Sequence, residues 1–229
     1  KLSLKGDDDG EKDRATTVLL DVLAEALRLL HPFLPFVSEE IYAKLPNVSD
    51  MLINSRYPVF SEKRQAPAIE SRFSALQELI RLVRTLRSEC TVSPDKRIKV
   101  QVMFDKDFEH IQAFMDSADL IKMFAGLGEL ILQESSGAAK KPQGSIGLAG
   151  KGFQAFAFIA DAVDMNQLTS KFTRDLEKDK RFVQNVEAKL SNEKFLANAP
   201  AELIETERVK CREVQGRIEK LETYIRDLA

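Results

Sequence analysis

The sequence predicts a mainly α-helical chain carrying one small α+β unit, and three observations support this. Apolar residues recur at spacings of three and four through most of the first ninety positions, a period of two takes over at Arg97–Phe104, and two charge-rich heptad runs close the chain. The architecture expected is a partial helical bundle over residues 1–94, a small mixed α/β connector over 95–164, and an antiparallel coiled-coil hairpin over 165–229.

Residues 1–13 are polar, with Asp7, Asp8, Asp9 and Gly10, and are expected to stay unordered. From Arg14 to Leu30 the set Val18, Leu19, Val22, Leu23, Ala26, Leu27, Leu29 and Leu30 keeps helical spacing until Pro32 and Pro35 end it. Ser38 offers an N-cap for a short helix, "EEIYAKL", with Glu39 and Glu40 in its first turn, where the helix dipole favours carboxylates. Pro46 stops that helix, and an irregular link runs to about Pro67. Ile69, Phe73, Leu76, Ile80, Val83 and Leu86 then define an amphipathic helix ending near Cys90, before Pro94.

"RIKVQVMF" alternates Ile98, Val100, Val102 and Phe104 against polar neighbours, as a half-buried strand does. Helical runs at about 106–115 and 117–124 follow, then "GELILQE" as a second strand. The Gly/Ser/Lys-rich segment 135–152 is expected to be a flexible hairpin loop, and "FQAFAFIA" a third strand. From Met165, Thr169, Phe172, Leu176, Asp179, Val183, Val186 and Leu190 alternate steps of three and four. Ile204, Glu207, Cys211, Val214, Ile218, Leu221, Ile225 and Leu228 do the same. So few residues separate the runs, at "KLSNEKFLANAP", that the helices must return antiparallel as an arm about 35 Å long. Asp179 and Glu207 break the seam, which is expected to admit water locally.

The totals exclude several classes. Of 229 residues, 44% are hydrophobic and 31% charged, which suits packed, soluble structure. The net charge of −2 sets up no global field for nucleic acid, so any basic surface is local. Cys90 and Cys211 stand alone and only two histidines are present, which argues against disulfide frameworks and zinc sites and fits a reducing cytoplasm. Neither a membrane span nor a signal peptide is visible, and an opening without Met reads as part of a longer protein.

Chemical motifs fail on inspection. "GSIGLAGKG" puts Ser145 where a phosphate-binding loop needs its first Gly, and Gly152 follows Lys151 where a hydroxyl is needed. Asp7–Asp9 lack the spacing of a calcium loop, His31 and His110 have no nucleophile or carboxylate at recognisable distance, and adjacent Glu39 and Glu40 point to different helix faces. No catalytic residue, metal ligand or cofactor site is expected in this chain.

Two basic regions remain. Residues 72–106 carry eight Lys/Arg against four Asp/Glu, a net of +4, and Arg81, Arg84 and Arg87 step along one helix flank beside Ile80, Val83 and Leu86. A salt-paired solvated face explains these arginines as well as a phosphate surface does. The heptad region places Lys171, Arg174, Lys178 and Arg181 on its first helix and Arg208, Lys210, Arg212 and Arg217 on its second. With 13 Lys/Arg against 12 Asp/Glu over residues 165–229, pairing along the helix faces is the simpler account.

Four stretches carry a family resemblance. "ALRLLHPFLPFVSEEIYAKLP" resembles the anticodon-binding bundle shared by the valyl, leucyl and isoleucyl class I aminoacyl-tRNA synthetases. "IRLVRTLRSECTVSPDKRI" resembles the next bundle helix of the valyl-tRNA synthetase family, with Arg84, Arg87, Glu89, Val92, Pro94 and Lys96 in matching places and Cys90 where Met is usual. "DMLINSRYPVF" is similar to the link between those helices, and "KLSNEKFLANAPAELIETERVK" to the tip of that family's C-terminal arm.

The resemblance covers nearly the whole chain and implies that the bundle grips the anticodon stem and loop while the arm reaches the tRNA elbow. It implies anticodon-arm roles for Arg81, Arg84, Arg87 and Lys96, and elbow roles for Arg174, Lys178, Arg181 and Arg212. It further implies a cytoplasmic, monomeric setting off the membrane, with a valine-specific tRNA and the rest of the synthetase chain as partners. ATP and Mg would serve the full-length enzyme only, since neither the ATP-binding signature motifs nor the editing domain occurs here, and this chain alone should not activate valine. Asp179, where the family usually has an apolar residue, is expected to loosen the mid-arm. An isoleucyl- or leucyl-type relative would lack the heptad arm. A non-catalytic coiled-coil interaction module would pair that arm with protein instead.

Overall fold

The computed structural model describes residues 8–134, 141–192 and 200–228. Of the turn expected at 189–200, residues 193–199 lie outside the described residues, as do 135–140 of the loop expected at 135–152. The chain forms two compact units, Lys1–Pro67 and Ala68–Ala229.

The first unit holds helices α1 (Asp9–Leu30) and α2 (Pro35–Tyr42) and two 3-10 turns, Leu52–Asn54 and Glu62–Arg64. Helix α1 begins five residues before the start read at Arg14, so residues 9–13, expected to stay unordered, are helical, because the Asp8 carboxylate accepts the free N–H groups of Gly10 (2.8 Å) and Glu11 (3.2 Å). Ser38 is not an N-cap. Pro35 at the first turn starts α2 ahead of it, and Ser38 is buried inside the helix, donating to Leu34 O and facing His31 Nδ1 at 2.8 Å. The Glu39 carboxylate closes the link by accepting from the N–H of Leu52 (2.7 Å) and Ile53 (3.2 Å), which seats Leu52 in the core of this unit.

The second unit opens with α3 (Pro67–Glu89) and continues through β1 (Ile98–Phe104), α4 (Ile111–Asp116), α5 (Ala118–Ala125), β2 (Leu127–Glu134), β3 (Ser145–Gly150), β4 (Phe153–Phe158), α6 (Met165–Leu190) and α7 (Ala201–Leu228). The sheet order is β2-β1-β4-β3, with β1 parallel to β2 and the other pairs antiparallel. On central β1 the residues Ile98, Val100, Val102 and Phe104 are all buried, as their alternation predicts. They share one core with Leu79, Val83 and Leu86 of α3 and with the root of the α6–α7 pair. Strand β3 corrects the loop expected through residue 152. Its Ser, Gly and Ala side chains carry almost no hydrophobic signal, but its backbone pairs Ile146 with Ala157 and Leu148 with Ala155 on β4. The β3–β4 turn needs Gly152, at φ +81°, since a side chain there would strike the Phe108 ring.

Helices α6 and α7 run 26 and 28 residues, about 39 and 42 Å. Contacts of Asp179 with Arg217, Lys180 with Glu222 and Lys189 with Glu207 fix their antiparallel register. Val183, Val186 and Cys211 form a small core with Leu190, Val214 and Ile218, and nearer the sheet Leu168, Phe172, Leu221 and Tyr224 merge into the main core. Asp179, expected to admit water, is instead 3% exposed and clamped by both Nε and Nη2 of Arg217. That carboxylate holds the pKa of Arg217 above its ordinary value, and the guanidinium supplies the donors a buried charge needs.

Candidate nucleic-acid interface

Helix α3 turns its buried stripe of Leu79, Val83 and Leu86 to the sheet, which leaves Arg81 and Arg84 on the exposed flank. Neither makes an ion pair among the described residues, so the salt-paired account of this flank does not hold for them. Both line an open groove floored by Phe73, Leu76, Ile80, Leu120 and Phe124. Arg87, one turn on, is placed differently. It donates to the carbonyls of Gly126 (3.0 Å), Ser93 (3.0 Å) and Lys96 (2.9 Å), and partial burial, followed by repulsion from Arg97, lowers its pKa. Its guanidinium therefore staples the loop after α3, on which Lys96 is exposed, to the end of α5. Gly126, at φ +69°, permits this, since an added methyl would sit 3.1 Å from Arg87 Cζ.

The end of α3 is bound to the root of the arm. The Glu89 carboxylate accepts from Lys220 Nζ at 2.7 Å and Tyr224 OH at 2.9 Å, both on α7. From α6, Lys171 Nζ donates at 2.9 Å to both Glu89 O and Thr91 Oγ1. Thr91 sits at φ 56°, a conformation a β-branched residue rarely adopts. Burial in this cluster, reinforced by the Glu89 charge, pushes the Cys90 thiol up to about 12 and raises the Tyr224 phenol above its ordinary value. Farther along, Asp227 of α7 is ion-paired to Lys141 at 2.5 Å and accepts from Gly147 N at 3.0 Å, so the helix is also pinned to β3. None of these clamps was legible from composition. Only the matching Glu89 in "RSEC" marked the place.

On the arm, Arg174, Lys178 and Arg181 are exposed and follow one another at steps of four and three, which keeps them on one face of α6. Lys178 also lines a cleft of about 320 Å³ at the root, with Lys171, Arg217 and Lys220 facing Glu89, Asp175 and Asp179. Arg181 pairs loosely with Glu177 (3.8 Å) and Arg212 more closely with Glu205 (3.0 Å), each on its own helix. The register set by Asp179 and Arg217 places Arg212 about 4.5 Å beyond Arg181 toward the tip. The expected residues thus fall into an α3 group, Arg81 and Arg84 with Lys96 on the stapled loop, and an arm group, with the Glu89 cluster between them.

Comparison with known proteins covers the segments that carry both groups. Residues 1–102 match the family described as the anticodon-binding domain of tRNA ligase, and residues 164–229 the family described as the valyl tRNA synthetase tRNA binding arm. The valine–tRNA ligase of Treponema denticola is 43% identical over 98% of this chain, and that of Treponema pallidum 34% identical over all of it. The chain is homologous to the C-terminal region of valine–tRNA ligases. It spans 25% and 26% of the length of these two relatives. The valine–tRNA ligase of Borrelia garinii, 32% identical, aligns over the whole chain as well. The match at 164–229 covers α6 and α7 in full. Among the described residues no helix is long and apolar enough to cross a membrane.

Proposed function

We propose that this chain is the tRNA-binding part of a valine–tRNA ligase, the enzyme that attaches valine to its tRNA using ATP. The observation that carries this reading is the pairing of the two matched families with two exposed basic groups joined through one ionic cluster at Glu89. In it, Arg81 and Arg84 meet the anticodon arm, and Arg87 acts through the loop it staples, presenting Lys96. Unstacked anticodon bases suit the apolar groove that Arg81 and Arg84 flank, because single-stranded loops are read by stacking and edge contacts. Arg174, Lys178, Arg181 and Arg212 lie along the tRNA elbow, where backbone contacts position and do not specify.

Functionally the chain divides into bundle (1–94), connector (95–164) and arm (165–229). Valine activation, with its ATP and Mg, belongs to the remainder of the enzyme, and these 229 residues alone are catalytically inactive. The setting is a cytoplasmic monomer. The test is the affinity for valine tRNA and for a non-cognate tRNA across a salt series. Preferential, salt-dependent binding supports the reading. Equal, weak binding to both limits this part to elbow positioning, and arm-mediated dimerisation unaffected by tRNA points to a protein-interaction module.

A further inference from the structure

In the first unit a polar cleft of about 440 Å³ opens between α1 and the link after α2. Three guanidiniums line it, those of Arg28, Arg56 and Arg64, against the single carboxylate of Glu25. Glu25 Oε1 is shared between Arg28 Nη1 at 3.3 Å and Arg64 Nη1 at 3.8 Å, and Arg56 makes no ion pair among the described residues. The lining therefore carries a net +2, three positive groups against one negative. Arg28 is further held by Tyr42, whose hydroxyl lies 3.4 Å from Nη2, yet its buried Nε has no hydrogen-bond partner among the described residues. Tyr57, 57% exposed, and Ser61 complete the rim with a ring face and a hydroxyl.

We propose that this cleft is a phosphate-binding site. A forked arrangement of guanidiniums matches the tetrahedral oxygens of a phosphate, whereas a carboxylate partner is already present and is outnumbered. The source that fits best is a phosphodiester of the bound RNA strand, with Tyr57 available to an adjacent base. This part of the inference rests on the tRNA-binding reading. It adds a third RNA contact that neither basic region of the sequence announces, because Arg28, Arg56 and Arg64 are dispersed across 37 positions and converge only in the fold.

The experiment compares the full-length protein with its Arg56→Gln/Arg64→Gln variant, two exposed positions whose loss leaves the packing of Arg28 untouched. The binding constant for tRNA is measured over a salt series, and Arg56 and Arg64 are labelled with phenylglyoxal alone, with tRNA, or with millimolar inorganic phosphate. Expected are an unchanged thermal midpoint, protection by tRNA, and a log–log salt slope shallower by about 0.7 to 0.9 for each phosphate no longer neutralised. Protection by inorganic phosphate, with the slope unchanged, upholds the phosphate site but assigns it to a free anion. If the wild type binds tRNA while the variant keeps its slope and neither anion protects, the cleft is no phosphate site and the parent reading stands. Arginines already shielded without any anion would mean that another part of the protein fills the cleft, which also overturns the proposal. A wild type that binds no tRNA and shows no protection removes both.

Discussion

Replacing Arg217 with Met should loosen the arm in a way that a second substitution repairs. Asp179 is 3% exposed, and both of its carboxylate oxygens receive hydrogen bonds from Arg217. Removing one partner of a buried ion pair typically costs about 3 to 5 kcal/mol, because the remaining charge keeps its desolvation penalty. Here the Arg217 side chain is itself 59% exposed, so water can reach the carboxylate once the guanidinium is gone, and the expected loss falls to about 2 kcal/mol. Met retains an apolar stem to cover the neighbouring seam, which confines the change to the charge and its hydrogen bonds. Asp179→Leu in the same background removes the stranded charge and extends the cluster of Val183, Val186 and Cys211. The double variant should come within about 1 kcal/mol of wild type. Urea unfolding followed by circular dichroism supplies the cycle, and hydrogen exchange at the amides of Val183 and Val186 localises the loss. An Arg217→Met change within about 0.5 kcal/mol of wild type, or a double variant that merely sums the singles, would refute this account of the mid-arm.

Other outcomes follow from the same geometry. Glu89→Gln should loosen the arm root and, on the proposed tRNA-binding reading, weaken tRNA binding with little change in salt slope, because its carboxylate is engaged by Lys220 and Tyr224 of the arm; a slope change would place it in the interface. Gly126→Ala should destabilise by about 1 to 2 kcal/mol through the left-handed backbone and the close approach to Arg87, as a thermal melt would show; an unchanged midpoint would mean the staple is dispensable. Cys90 should resist alkylation at pH 8 until the chain unfolds. Because its folded pKa lies near 12, above that of the unfolded thiol, its stabilising contribution is complete below about pH 9 and is lost between about 9 and 12, with Tyr224 acting in the same direction at higher pH. Stability flat across that window would contradict the burial of Cys90. Reversing the charge at Arg81 and Arg84 should weaken tRNA binding and flatten its salt dependence by about 0.7 to 0.9 for each phosphate those side chains neutralise.

The elements legible in the sequence were those whose side chains declare a period. Val83 and Leu86 on α3, the alternation of β1, and the Val183, Val186 and Cys211 seam all lie buried as their spacing requires. What escaped depended on backbone or on distant partners. β3 forms through strand pairing with few apolar side chains, and α1 starts on a side-chain cap from Asp8. Tyr224 falls outside the heptad positions and is buried because the arm root faces Glu89 and Phe172, which no local pattern reports. The basic groups were visible as charge, but Arg81 and Arg87 look alike in sequence. Only the carbonyls of Gly126, Ser93 and Lys96 separate a structural staple from a cation with no ion pair among the described residues.

The clamps on α7 also set a mechanical gain. Lys220, Tyr224 and Asp227 grip the helix over about 10 Å along its axis, while the stretch from Lys220 back to Ala201 runs some 28 Å beyond the grip. A shift of about 1 Å across the grip is thus magnified to about 3 Å at Ala201.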